Sequence, residues 1–236
     1  MGADQHFDIR DQIASTLDWW REAGVDTLID EDPRDWLAAA VASPAAPAPP
    51  AEAAVAALPD ALAEFVPWRT GDAAIERQWG RTPLAPEGDP SAAIHVIVDS
   101  PDDDAAYLSG ATGRLFDRML AAIALDRTRL CITGLAWARP VSGSVPASDE
   151  AELATQALHF LSLARPKRVL LLGQATSRAL LGTDGARPRG LLHGINHRGA
   201  ELEMVATWHP RFLLERPAAK ADTWRDLQLL IGGIDQ

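Results

Sequence analysis

Cysteine is almost missing from this chain: Cys131, inside the apolar run LCITGLAW, is the only one in 236 residues. A single thiol excludes an internal disulfide, a thiolate zinc cage and a cysteine-held cluster. Its apolar neighbours assign it to the core as a structural thiol. Lysine is scarce too: 20 of the 22 basic residues are arginine, a bias that suits planar phosphate contacts and that genomic base composition also produces. No apolar run approaches the roughly 20 residues that cross a bilayer. The opening MGADQHFDIRDQ has neither a basic n-region nor an apolar h-region, so the expectation is a cytoplasmic protein without a membrane partner. Also lacking are a G-x-G-x-x-G after the first strand and a Walker lysine, which argues against a nucleotide-binding or hydride-transfer enzyme.

What is present is unevenly spread. The net charge of -11 divides into 21 acids and 6 bases over residues 1–105, and 12 acids and 16 bases over residues 106–236. Within the acidic half, Ile9, Ile13, Leu17 and Trp20 recur at helical spacing and Gly24 follows as a stop. A second helix is expected from DPRDWLAAAVA, with Asp32 as N-cap and Pro33 in the first turn. The stretch SPAAPAPPAEAAVAALP then reads as a linker. The expected organisation is an N-terminal helical segment over 1–42, a linker over 43–60 and a main domain over 61–236. The N-terminal helices are either an adaptor for a protein partner or an arm that folds back on the main body.

From residue 92 onward, short β-rich runs alternate with helical spacing. AIHVIVD (93–99), RLCITGLAW (129–137), KRVLLLG (167–173) and LEMVATW (202–208) are separated by TGRLFDRMLAAIAL, DEAELATQALHFLSLA and ATSRALLG, and AKADTWRDLQLLIGG follows the last. This alternation predicts an α/β fold: a three-layer αβα sandwich around a four-stranded, mainly parallel sheet. In such sheets ligands bind beyond the carboxyl ends of the strands, at a topological switch point. The rule selects DSPDDD, ARPVSGS, GQATS and HPRF. Asp99 is then either a site carboxylate or a turn cap, since Asp-Ser-Pro is ordinary turn chemistry. His209 is either a site imidazole or a hydrogen-bonded structural histidine. Gly173-Gln174 either offers N–H groups to an anion or simply completes a tight βα turn.

Across residues 94–230, LARPKRVLLLGQATSRALLG, ATWHPRFLLERPAAKADTWRDLQLL and SGATGRLFDRMLAAIALDRTRLCITGLAWARP stand in an order that resembles the uracil-DNA glycosylase superfamily, particularly its bacterial iron–sulfur branch. The resemblance implies a protein that extrudes a deoxynucleotide from DNA and hydrolyses the N-glycosidic bond of uracil or another altered base in base-excision repair. It implies that His209 stabilises the departing base and that Asp99 orients water. The base pocket would involve Leu108, at the position of the family's stacking aromatic, its neighbour Tyr107, and Gly134, at the position of the asparagine that reads uracil. Ser100, Pro101, Gln174, Arg189, Pro210 and Arg211 would contact DNA.

The departures from the family pattern are as specific. Val98 and Asp102 stand where the first motif has glycines, which crowds the backbone and sets a carboxylate toward phosphates. Arg211 replaces a small residue, free either to pair with a phosphate or to fill the pocket mouth. Ala138 stands at a cluster-cysteine position, so no cofactor is expected. His193 and His197 occupy the region of a loop histidine that bonds to the sugar in one branch, but with poorly matching spacing. These departures leave a second reading: a catalytically inactive member that binds DNA or a repair partner.

Overall fold

The computed structural model describes residues 58–182 and 189–232. The helices expected near residues 7–22 and 32–42, and the linker up to residue 57, lie outside the described residues. Six strands form one sheet: β1 (Glu87–Gly88), β2 (Ile94–Val98), β3 (Leu130–Gly134), β4 (Arg168–Leu172), β5 (Leu192–His197) and β6 (Ala200–Thr207). Their spatial order is β1-β3-β2-β4-β6-β5. The helices of the described residues are α1 (Leu62–Thr70), α2 (Ile75–Gln78), α3 (Gly110–Ala122), α4 (Ala147–Ala164), α5 (Gln174–Leu181), α6 (Pro210–Glu215) and α7 (Lys220–Ile231).

The four inner strands β3, β2, β4 and β6 pair in parallel. Every residue of β2 and β3 is buried, as covered parallel strands require, because both faces lie under helices. On one face Ile94, Val96, Val98, Leu170, Leu172 and Val205 pack with Phe116 and Leu120 of α3, Leu213 of α6 and Leu227 of α7. On the other, Ile97, Val169, Leu171 and Met204 pack with Leu153 and Leu161 of α4 and with Leu180 of α5. The αβα sandwich follows directly from period-two strands between amphipathic helices.

The sheet has six strands rather than the four expected. The two additions are edge strands, and both run antiparallel to their neighbours. β1 is only two residues long, too short to leave a pattern. β5, LHGINH, has Ile195 as its one β-branched residue and no Phe, Tyr or Trp, too weak a pattern to mark a strand. A tight turn makes it a strand: Arg198 and Gly199 both have positive φ, 49° and 77°. Two positive-φ central residues are what a two-residue hairpin needs, and His197 pairs with Ala200 across the turn.

A third cluster fastens α1 and α2 to the exit of β3. The Arg69 guanidinium forks onto the Glu76 carboxylate, with both side chains almost fully buried. Glu76 Oε1 also accepts the Trp137 backbone N–H at 2.6 Å, and Arg69 lies over the Trp137 ring at 5.1 Å. Phe65, Phe160 and Cys131 complete the cluster.

The strand order places the switch point. The chain leaves β2 toward β3 on one side and leaves β4 toward β6 on the other. The carboxyl ends of β2 and β4 are adjacent, so the segments after them flank a crevice.

Candidate active site

Three segments meet at that crevice. Asp99 follows β2 directly. Gly173 follows β4 with φ 101°, a conformation open to glycine, and serves as N-cap of α5. A Cβ on Gly173 would lie 3.5 Å from His209 Cβ, so the histidine side chain sits beside this turn. His209 follows β6 and caps α6, with Pro210 in the first turn.

The His-Pro pair has a local logic. Proline fixes the first helical φ and has no N–H to leave unsatisfied. It also keeps the preceding residue extended, and His209 has φ -65° and ψ 139°. The imidazole then acts as the capping acceptor: Nδ1 takes the Arg211 backbone N–H at 3.2 Å. That bond leaves the proton of a neutral ring on Nε2. Burial pushes the His209 pKa below its ordinary value, and Arg211 pushes the same way against the opposing charges of Asp99 and Asp102. The neutral ring is therefore the resting form at pH 7.

Nε2 of His209 stands 3.9 Å from Oδ1 of Asp99. This is too long for a hydrogen bond, and among the described residues neither buried atom has another hydrogen-bond partner. The two residues that carry this donor and acceptor line one cavity of about 230 Å³, together with Gln174, Arg211, Phe212, Glu215, Leu172, Gly173 and Ala175. Unsatisfied buried polar atoms around a cavity are unfavourable for folding alone. A polar group seated to one side of the pair, within hydrogen-bond reach of each, would satisfy both.

Of the residues singled out from the sequence, Asp99, Gln174, His209 and Arg211 come together here. Tyr107 and Leu108 do not line this cavity. Tyr107 is fully buried, its O–H donating to the Leu84 carbonyl at 2.7 Å and its N–H to Glu87 Oε1 at 2.6 Å. Leu108 packs in the core with Phe116. Gly134 is closed off too: a Cβ there would lie 2.1 Å from the Ala136 carbonyl oxygen and 3.1 Å from the Tyr107 ring. Ser100, Pro101 and Pro210 are buried beside the site without lining it. Arg189 lies 3.3 Å over the Trp208 ring and lines a different cavity with Asp222, Arg225 and Asp226. His193 and His197 lie on β5, outside the lining of the Asp99–His209 cavity.

The acidic loop differs from its sequence impression. Asp102 is not turned outward as a lone carboxylate: its Oδ1 accepts from Arg211 Nη2 at 2.5 Å and its Oδ2 from the Ser109 N–H at 3.1 Å. Asp103 accepts the N–H groups of Ala105 and Ala106, and hydrogen bonds, that of Ser109 foremost, hold its pKa below the usual carboxylate range. The loop uses its acids to fold itself. Phe212 and Glu215 were overlooked in the sequence, although they follow His209 at spacings of three and share its helix face.

The iron–sulfur cluster of the resembled branch does not fit the donors present. Cys131 is buried in β3, with its thiol pushed up to about 12 by burial, and position 138 is a buried alanine. Among the described residues, no three His, Cys, Asp or Glu side chains are grouped to hold a metal. No helix among them is long and apolar enough to cross a membrane.

Comparison with known proteins agrees with this geometry. The family model of the uracil DNA glycosylase superfamily matches residues 85–228, from β1 into α7. A type-4 uracil-DNA glycosylase of Pyrobaculum aerophilum is 25% identical over 158 residues, which cover 62% of this chain and 81% of that protein. A type-4 uracil-DNA glycosylase of Archaeoglobus fulgidus is 26% identical over 152 residues, covering 60% and 76%. With a match over more than half its length, and with the strand ends gathered around one crevice, this chain belongs to the uracil DNA glycosylase superfamily.

Proposed function

We propose that this protein is a DNA glycosylase of base-excision repair, hydrolysing the N-glycosidic bond of uracil or another altered base held in the Asp99–His209 cavity. The observation that carries the reading is the facing pair of partnerless atoms, His209 Nε2 and Asp99 Oδ1, 3.9 Å apart. In the proposed reaction the glycosidic C–N bond breaks and its electron pair leaves with the base, while the sugar passes through an oxocarbenium-like state. Neutral His209 donates its Nε2–H to the carbonyl oxygen on which the charge of the base anion gathers. A preorganised donor of this kind contributes roughly 10²–10³ in rate. Asp99 orients the water whose oxygen bonds to the anomeric carbon. The water's proton passes to the carboxylate and then to solvent. Gln174 is the amide left to face the base, since Gly134 supplies none; Phe212 lines the cavity with its ring stacked on Trp208 at 4.2 Å.

The test is incubation of the protein with single- and double-stranded uracil-containing oligonucleotides, followed by alkali cleavage. Strand scission well above that of a His209→Ala variant supports the reading; product equal to that control contradicts it.

One observation favours a second reading. Tyr107, Leu108 and Gly134 are packed together without room for a base, as in a member that keeps the sandwich and binds DNA, or a repair partner through residues 1–60, without cleavage. DNA binding that weakens steeply with salt, with no product at any ionic strength, would support it.

A further inference from the structure

We propose that the Asp102–Arg211 ion pair is the positioning device of this site: it ties the loop that carries Asp99 to the helix that His209 caps, and so sets the spacing of those two groups. The inference rests on the glycosylase reading for its kinetic consequence only. Asp102 is fixed within its own loop, with its N–H directed to the carbonyls of Ala106 and Tyr107 at 3.2 and 3.1 Å, its Oδ2 holding Ser109 and its carbonyl accepting from Arg139. Arg211 is fixed to His209 through its backbone N–H. The 2.5 Å contact between Asp102 and Arg211 closes this chain of bonds around the cavity mouth. Among the described residues it is the one hydrogen bond joining the 99–109 loop to α6.

The asymmetry of exposure says what such a pair can do. The Arg211 side chain is 49% exposed, whereas that of Asp102 is 10% exposed. With its Arg211 end solvated, the pair is partly screened from its full Coulombic worth. A short charge-assisted bond between two anchored segments is directional, however, and fixes their separation. The two residues are also among the departures from the resembled pattern, an acid and a base at positions where the resemblance expects small residues. Asp102 alone would set a carboxylate toward phosphates, and together the two neutralise one another. Arg211 is thereby engaged within the protein.

The experiment removes the pair without changing net charge and reads the coupling of Asp99 to His209 in the DNA-free full chain. The groups facing His209 are Asp99 and Asp102 from the loop after β2 and Arg211 and Glu215 from α6, with uncharged Gln174 from α5. NMR titration of His209 is compared in four proteins: wild type, Asp99→Asn, Asp102→Asn/Arg211→Met, and the triple variant. Removing Asp99 is expected to lower the His209 pKa in the wild-type background, and by about half as much, or less, when the pair is gone. An equal drop in both backgrounds overturns the proposal. If the neutral double variant does not fold, Arg211→Gln takes its place, with the same comparison and the same reading.

On uracil-containing oligonucleotides, the double variant is expected to lose about 10- to 100-fold in kcat with KM within a few-fold of wild type. A raised KM with unchanged kcat, and a flatter salt dependence for Arg211→Met, would assign Arg211 to a DNA phosphate and overturn positioning. Lost coupling in the titration, in a protein that releases no base at all, would retain the proposal while rejecting the glycosylase reading.

Discussion

His209 gives one ring nitrogen to the backbone N–H of Arg211, 3.2 Å away, and turns the other toward Asp99 Oδ1, 3.9 Å away. The first contact fixes the tautomer that makes the second a donor facing an acceptor. Protonating the ring would set an Nδ1–H against the Arg211 N–H and break the cap. The glycosylase account therefore expects an acid limb only: base release stays level from pH 7 upward and falls as pH drops through the depressed His209 pKa, below the ordinary histidine value. A pH–rate profile under single-turnover conditions checks this, and a midpoint above the ordinary value would conflict with the direction of the shift.

The buried pair behind β3 makes a stability prediction. Arg69→Met or Glu76→Gln alone strands the other charge in the core, and each is expected to cost about 3–5 kcal/mol. Removing both with Arg69→Met/Glu76→Leu is expected to recover much of that loss, because no bare charge remains. Chemical denaturation of the three variants measures it.

His95 lies fully buried in β2, and burial pushes its pKa down to about 4. The sign follows from linkage: a group that binds protons more weakly when folded stabilises the fold above its unfolded value, near 6.5, and loses that contribution as pH falls toward 4. The span corresponds to roughly 3 kcal/mol. His95→Phe, if it folds, is expected to flatten the fall in stability between pH 6.5 and 4, as measured by denaturation midpoints at stepped pH.

By the resemblance, Gly134 takes the position of a uracil-reading asparagine, and the obvious repair is expected to fail. The 2.1 Å approach of an added Cβ to the Ala136 carbonyl involves backbone that cannot swing away. Gly134→Asn is expected to destabilise the protein by at least about 1–3 kcal/mol and to give no gain in activity on uracil. A stable, faster variant would show that Tyr107 and the following turn can move.

Most of the fold was legible in the sequence because the four inner strands are nearly continuous apolar runs and the helices between them keep one face apolar. The edge strands were not. β5 is a strand by virtue of its neighbour and of a turn at Arg198-Gly199, neither of which appears in its own composition. At the site, Asp99, Gln174 and His209 could be placed together from the strand-end rule alone. Phe212 and Glu215 were within reach of helical spacing once His209 was seen to cap a helix. The Asp102–Arg211 contact was not legible: its partners are 109 positions apart, and each taken alone reads as a departure from its motif. Tyr107 also needed the structure, since its hydrogen bond to Leu84 spans 23 positions and turns a candidate stacking ring into core.

The central claim, that Asp99 and His209 act on one substrate in one cavity, is tested most directly by single-turnover base release from a uracil-containing strand. The proteins compared are wild type, Asp99→Asn, His209→Ala and the double variant. The account predicts a loss of roughly 10²-fold or more for each single variant, and a double variant little worse than the weaker single. Rates unchanged by both substitutions would contradict it.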